Sequence, residues 1–218
     1  MRIVLKPRDG LQMRLTNCCP ALALLALLAT SAPAAAEPRA PGLVLLRNGI
    51  NPVELGPGAR AGMVVLAHRE NFNAHSFEIA TFYLRTARLD SDPATWQLIP
   101  FETKHAGSSY ENDLLVSGGA DCVLHTFRIF AGRKAEAARI LVADRAPGES
   151  FADPRPVTFT WYELAWNPDG GAGQPTAFFR VTKTATTRQA YCDADQAIRD
   201  ELQLEGAITP AEGSQISH

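Results

Sequence analysis

Residues 157–161, Val-Thr-Phe-Thr-Trp, alternate strictly between apolar and polar side chains. In an extended strand this spacing puts Val157, Phe159 and Trp161 on one face and both threonines on the other. One face of each kind is typical of an antiparallel strand that covers a core on one side and meets solvent on the other. The stretch therefore predicts a half-solvated antiparallel strand within residues 157–166.

Other stretches on both sides of this strand share its apolar, β-branched and aromatic character. They are residues 43–46, 63–66, 77–84, 96–101, 114–116, 122–130, 140–143 and 178–184. Residues 77–84 are apolar on both faces, which predicts a central strand. Clusters of Gly, Pro, Asp and Asn separate the strands at spacings that suit hairpins better than helical crossovers. We therefore expect a mainly β protein whose strands form an antiparallel, sandwich-like sheet.

A short C-terminal helix completes the expected fold. Asp193 can cap residues 194–202, with Gln196 three positions on, and Ala194, Ile198 and Leu202 fall on one stripe. A weaker helical pattern covers residues 133–138.

The first 36 residues have the composition of a secretory signal peptide. Four basic residues precede the nine-residue Ala/Leu block 21–29, and three alanines precede Glu37. That block is shorter than the about 20 residues that span a bilayer. We expect cleavage near Ala36, a single domain over residues 37–205, a flexible tail over residues 206–218, a periplasmic location and no stable membrane insertion.

The expected mature chain is mildly acidic and holds two cysteines. Loss of four basic residues and one acid changes its formal net charge from −2 to −5, and no clustered basic face points to nucleic acid. Cys122 and Cys192 are expected to pair in an oxidising compartment. The alternative is a Cys122 nucleophile with His125 as its base, but an offset of three puts strand residues on opposite faces, and oxidation consumes the thiol.

A polar run, His-Arg-Glu-Asn-Phe-Asn-Ala-His-Ser-Phe-Glu at 68–78, follows an apolar strand pattern. The side chains of Asn71 and Asn73 suit a braced turn between strands, and a ligand-contacting loop is a second interpretation. A metal site would need His68 and His75 to converge with a glutamate, although their spacing fits neither a zinc protease nor a zinc finger.

Further polar residues extend the candidate set. Asp121 and His125 flank Cys122, and Asp144-Arg145 ends a strand, either as a surface pair or as an arginine that recognises an anion. The candidate binding residues are His68, Arg69, Glu70, Asn71, Asn73, His75, Asp121, His125, Asp144 and Arg145. We expect no catalytic residue, metal ligand or cofactor, because nucleophile-elbow, phosphate-loop, paired-cysteine and zinc-hydrolase motifs are absent from the sequence.

Five stretches together resemble the periplasmic carbapenem self-resistance proteins, the CarG-like family. They are residues 66–77, 117–125, 142–145 with 148–150, 158–163 and 191–193, and the resemblance covers about residues 43–204. It implies a secreted protein that protects the cell from a carbapenem without being a β-lactamase. It also implies that the loops 69–75 and 121–125 lie in the functional surface, but it assigns no residue a chemical role.

The expected partner is a carbapenem or a periplasmic protein, and a homodimer is possible. Two other function classes stay open: a metal-dependent periplasmic hydrolase that uses His68, His75 and Glu78 or His125, and an inhibitor-like interaction module. A segment at 51–66 also looks like a degenerate calcium-binding repeat, but residues 56–62 hold no acid, so calcium binding there is not expected.

Overall fold

The structure is a computed structural model that describes residues 41–59, 61–73, 75–86, 95–103, 109–119 and 122–204. The expected signal peptide and the expected tail lie outside the described residues. Among the described residues, the secondary structure runs from a strand that begins at Gly49 to one C-terminal helix.

Eleven strands precede that helix in the described chain. They are β1 (Gly49–Val53), β2 (Gly62–Arg69), β3 (Phe77–Thr86), β4 (Thr95–Leu98), β5 (Phe101–Glu102), β6 (Tyr110–Glu111), β7 (Leu114–Gly118), β8 (Val123–Phe130), β9 (Arg139–Arg145), β10 (Arg155–Trp166) and β11 (Ala177–Tyr191). The helix is α1 (Ala194–Leu202).

The strands form one continuous sheet in the order β1-β2-β3-β7-β8-β9-β10-β11-β5-β6, with β4 paired to β3. All neighbours are antiparallel except β5 and β11. The prediction of a mainly β, antiparallel fold with a short C-terminal helix is confirmed, as is the central place of β3. The predicted strand at 43–46 is wrong, because Leu43 forms only an isolated bridge to Phe130, and β1 and β6 were not predicted.

One segment, residues 95–102, bonds to two distant parts of this sheet. Its first half pairs with β3, and the Ile99 amide donates to the Phe82 carbonyl at 2.8 Å. Its second half meets β11, where the Phe179 amide donates to the Pro100 carbonyl at 2.8 Å. The rings of Phe82 and Phe179 are 5.4 Å apart and Phe101 contacts both. The sheet therefore curls until β3 and β11 lie against the same core.

The curl separates two hydrophobic clusters. The larger lies inside the curve and includes Phe82, Phe101, Phe127 and Phe179. The smaller lies on the outer face of β8, β9 and β10, where it meets α1.

The alternation in β10 is confirmed on one face only. Val157, Phe159 and Trp161 belong to the outer cluster against α1. Thr160, on the opposite face, is 0% exposed, so the prediction of a half-solvated strand is wrong there. The cause is the curl, because β10 lies between an enclosed core and a covering helix.

Helix α1 begins and ends as its sequence predicts. The Asp193 side chain accepts from the Gln196 amide, Ala194, Ala197 and Ile198 are buried, and Gln203 ends the helix in the left-handed conformation. No helix within the described ranges is long and apolar enough to cross a membrane.

The predicted helix at 133–138 is wrong. This segment connects β8 to β9, and Arg133 and Glu136 exchange backbone hydrogen bonds across a tight turn. The flanking amides of Gly132 and Ala138 donate to the carbonyls of Glu54 and Leu55. These tertiary bonds outweigh a six-residue helical pattern, which is too short to be stable alone.

A buried ion pair joins α1 to the sheet. Arg128 is only 1% exposed. Its guanidinium donates to the Asp195 carboxylate at 2.8 Å and to the carbonyl of the preceding residue, Phe127, at 2.9 Å. Thr126 also donates to Asp195 at 3.0 Å. The carboxylate therefore receives bonds from two sheet residues and fixes how the helix docks.

The expected disulfide also holds α1. Cys122 and Cys192 are bonded, with Cα atoms 5.7 Å apart, so the alternative of a Cys122 thiol nucleophile is wrong for this structure. Next to the bond, the Val123 amide donates to the Asp193 carboxylate at 3.1 Å. One residue thus caps the helix and bonds to the start of β8.

We expect Asp195→Ala to lower the free energy of unfolding by about 3 kcal/mol, because it leaves the Arg128 guanidinium buried without its carboxylate. Arg128→Met combined with Asp195→Ala should recover part of that loss, because no charge is then buried. Chemical denaturation of both single variants and the double variant measures the coupling. If the losses in the two single variants simply add up in the double variant, the predicted coupling between Arg128 and Asp195 is contradicted.

We expect the double variant Cys122→Ala/Cys192→Ala to unfold more easily, by up to about 4 kcal/mol for a closed loop of this length, the two cysteines being 70 positions apart. The reason is that the bond restricts the unfolded chain. Denaturation with and without reductant is the measurement. Wild type should become as unstable as the variant when reduced, and the variant should not respond to reductant.

Candidate functional site

The polar run 68–78 forms the end of β2, a turn and the start of β3. Asn71 donates from its side chain to the His75 carbonyl at 2.8 Å, and the Asn73 side chain accepts from the His75 amide at 2.8 Å. Glu70 accepts from the Phe72 amide at 2.6 Å and from the Ser76 hydroxyl at 2.8 Å. The interpretation of a turn braced by its own side chains is therefore confirmed.

This bracing holds Phe72 at the tip of the turn. Its φ of 56° is uncommon for a residue with a side chain, and the residue is 94% exposed. Arg69 lies over the ring of Phe77, 5.1 Å from the centroid.

His68 lies between two carboxylates. Its Nδ1 is 2.9 Å from Glu78 Oε1, and its Nε2 is 3.5 Å from Glu70 Oε2. The hydrogen bond and the charge of Glu78, with help from Glu70, raise the pKa of His68 despite a smaller opposing effect of burial. Bonds from Ser76 and Phe72 lower the pKa of Glu70. The site thus favours an imidazolium between two ionised acids.

His125 forms a second histidine–carboxylate pair. Its Nδ1 bonds to Asp144, directly opposite on β9. Asp144 is in turn opposite Thr158, and Thr158 is opposite Thr186, with the two hydroxyls 3.3 Å apart. Four polar residues therefore follow one level of the sheet across β8 to β11.

The two pairs lie near the same level of the curled sheet. Glu78 is opposite Val116, and the next residue of β7, Ser117, is opposite His125. Strand alternation places both pairs on the side of the inner core, since Leu66, Ala80, Phe127 and Val142 belong to it. We call this set the polar row: His68, Glu78, His125, Asp144, Thr158 and Thr186.

Two further groups lie below the polar row, towards the core. The Thr160 hydroxyl is buried and has no hydrogen-bond partner among the described residues. Burial, followed by the charges of Asp144, Glu111 and Glu102, raises the pKa of Tyr162 to about 12. The inner face therefore continues from the polar row towards the core with a buried hydroxyl and then a buried phenol.

The remaining candidates gather around Phe151, outside the polar row. His75 Nδ1 is 3.1 Å from the Gly118 carbonyl, and its ring contacts Phe151. Arg145 is buried and donates to the carbonyls of Ala146, Phe151 and Asp153; burial lowers its pKa. It organises the 146–153 loop.

The prediction that Asp144 and Arg145 form a surface pair is wrong. They are consecutive in β9, so their side chains leave opposite faces of the sheet. Asp144 bonds to His125, whereas Arg145 is buried with the loop. The guanidinium donates to carbonyls and presents no exposed fork to an anion.

The structure does not assemble the residues of the metal alternative. His68 bonds to Glu78, whereas His75 bonds to Gly118. Within the described ranges no three His, Cys, Asp or Glu residues converge as metal ligands. Asp121 lies outside the described residues.

The polar row offers hydrogen-bonding groups. The Nδ1 of His125 bonds to Asp144, and the Nε2 on the other side of the ring is a second hydrogen-bonding atom. Both imidazoles bond to carboxylates, and neither bonds to a hydroxyl or thiol among the described residues. The carboxylates of Glu78 and Asp144 therefore fix the orientation of both imidazoles.

Sequence reasoning missed that Thr158, Thr160 and Thr186 lie on the same face of the sheet as the His125–Asp144 pair. The alternation of 157–161 marked the first two as one face of a strand, and β11 is rich in threonine. The alignment of Thr158 and Thr186 with His125 and Asp144 depends on the register of four strands.

We expect an NMR titration to give His68 a pKa above the ordinary value of about 6.5. Glu78→Gln should lower the His68 pKa, because glutamine lacks the negative charge that favours the imidazolium. Since the folded-state pKa is the higher one, this pair stabilises the fold fully below about pH 6.5, and the effect is lost as pH rises through the folded-state pKa. An unchanged His68 pKa in Glu78→Gln would contradict this.

Comparison with known proteins identifies the family. The family model named CarG-like, and described as carbapenem resistance protein CarG-like, matches residues 46–200 of this chain. The crystal structure of CarG is similar to this chain with a TM-score of 0.56 and 25% identity, over 72% of this chain and 94% of that one. No curated protein matches. Because the family model matches more than half of the sequence and the fold agrees, the chain belongs to the CarG-like family of carbapenem resistance proteins.

Proposed function

We propose that this protein is exported to the periplasm and protects the cell from a carbapenem without opening the β-lactam ring. The observation that carries the proposal is the family match over residues 46–200. The pattern of residues 1–36 and the disulfide support export, since such bonds persist in oxidising compartments.

The chemistry of the two histidines supports a non-hydrolytic route. A serine or cysteine hydrolase needs a nucleophile within hydrogen-bond reach of its base. Here His68 and His125 bond to Glu78 and Asp144, and both described cysteines are consumed in a disulfide. Protection then rests on recognition.

The polar row, Arg69 and the braced turn 70–76 form the proposed recognition surface for a periplasmic partner. The turn is held by several side-chain bonds, so little conformational entropy is lost when a partner binds. The surface displays the exposed ring of Phe72 beside hydrogen-bonding groups, a combination typical of protein interfaces.

Expression of the full chain in a carbapenem-sensitive host should raise the drug concentration that stops growth, while the purified protein leaves the absorbance of the intact ring unchanged. His68→Ala and Arg69→Ala should reduce protection because they remove groups of the recognition surface. Lys183→Ala, an exposed change on β11, is the matched control. Catalytic ring opening would refute the non-hydrolytic mechanism, and unchanged susceptibility would refute the protective role.

A further inference from the structure

A cleft of about 500 Å³ lies at the end of the sheet opposite the polar row. Gly62 opens β2 at the cleft, whereas His68 lies near the other end of that strand. Likewise Arg133 follows the end of β8, whereas His125 lies near its start. The two regions are therefore separated by the length of the strands.

The cleft has an apolar wall of fixed shape. Val53 and Leu55 are 6% and 3% exposed and belong to the inner core, and Pro52, Ala59 and Ala61 extend the wall. Backbone bonds hold its two sides together, from Gly132 to Glu54 at 2.7 Å and from Ala138 to Leu55 at 3.0 Å. Its volume is within the range of about 300–1,000 Å³ for small-molecule sites.

Two cations line the cleft and are available to a ligand. Arg133 and Lys134 are exposed, and neither forms an ion pair with another residue in the described part of the chain. Glu54 is the acid among the lining residues, so these side chains carry a net positive charge. The polar row has the opposite character, because Glu70, Glu78 and Asp144 surround its histidines.

We propose that this cleft binds a small organic carboxylate with an apolar body. Arg133 and Lys134 pair with the carboxylate, for which the arginine fork is well suited, and the body lies on Val53 and Leu55. A carbapenem has this chemistry, since its carboxylate is attached to a fused bicyclic ring. The choice of the drug as ligand rests on the proposed function, whereas the class of ligand rests on the cleft alone.

The test is a titration followed by NMR amide shifts, with octanoate below its micelle-forming concentration, octanamide as its neutral counterpart, and an intact carbapenem as probes. The amides of Val53, Leu55 and Gly62 report on the wall. The Trp166 indole is a further reporter, because it donates to the Pro57 carbonyl at 3.2 Å beside the cleft. We expect saturable shifts of these signals with octanoate and binding of octanamide about tenfold weaker.

Variants separate the charges from the wall. Arg133→Gln/Lys134→Gln should weaken octanoate binding about tenfold, and Ala61→Leu should weaken it with both cations kept, because a larger side chain narrows the cleft. Lys183→Gln/Arg188→Gln removes the same charge from β11 and should bind octanoate as wild type does.

Each outcome bears on the proposal. Saturable shifts with octanoate alone support a carboxylate site and exclude the drug as its ligand, whereas shifts with the carbapenem as well identify the drug site. Absence of saturable shifts with both carboxylates, equal binding of octanamide, or equal weakening in the β11 control would overturn it. None of these results decides the proposed function, because growth protection is measured separately.

Discussion

The contact between β3 and β11 is the constraint on which the rest of the structure depends. Residues 95–102 bond to both strands, and Phe82, Phe101 and Phe179 fill the space between them. Burial of three aromatic side chains contributes several kcal/mol to folding. It also forces the sheet to curl, so that one face becomes an enclosed core and both of its ends become candidate binding regions.

The outer face of β8 to β10 has to be covered by another element, because the curled sheet encloses only its inner face. Helix α1 covers it with Ala194, Ala197 and Ile198, and the disulfide, the Asp193 cap and the Arg128–Asp195 pair fix its position. A buried ion pair adds little net stability to a fold, but its geometry restricts the positions in which helix α1 can pack on the sheet. These contacts link the start of β8, next to His125, to the C-terminal segment.

The two ends of the curled sheet also carry side chains of opposite charge. Acids surround the histidines at one end, and the charge of Asp144 reaches Tyr162 inside the core. Cations without ion pairs among the described residues line an apolar cleft at the other end. The two ends therefore differ in charge and in shape, so the proposed carboxylate ligand and the proposed partner protein would bind to separate regions of the sheet.

The sequence by itself determined the local features: most strands, the capped helix, the cysteine pair and the braced turn at 68–78. Each depends on neighbours a few residues apart, on alternation, or on two cysteines that have no other partner. Only the tertiary structure decided that Thr160 is buried, that residues 133–138 form no helix, and that Arg145 holds a loop rather than an anion. The polar row depends on it too, because register across β2 to β11 sets which distant side chains meet, and no local pattern encodes that register.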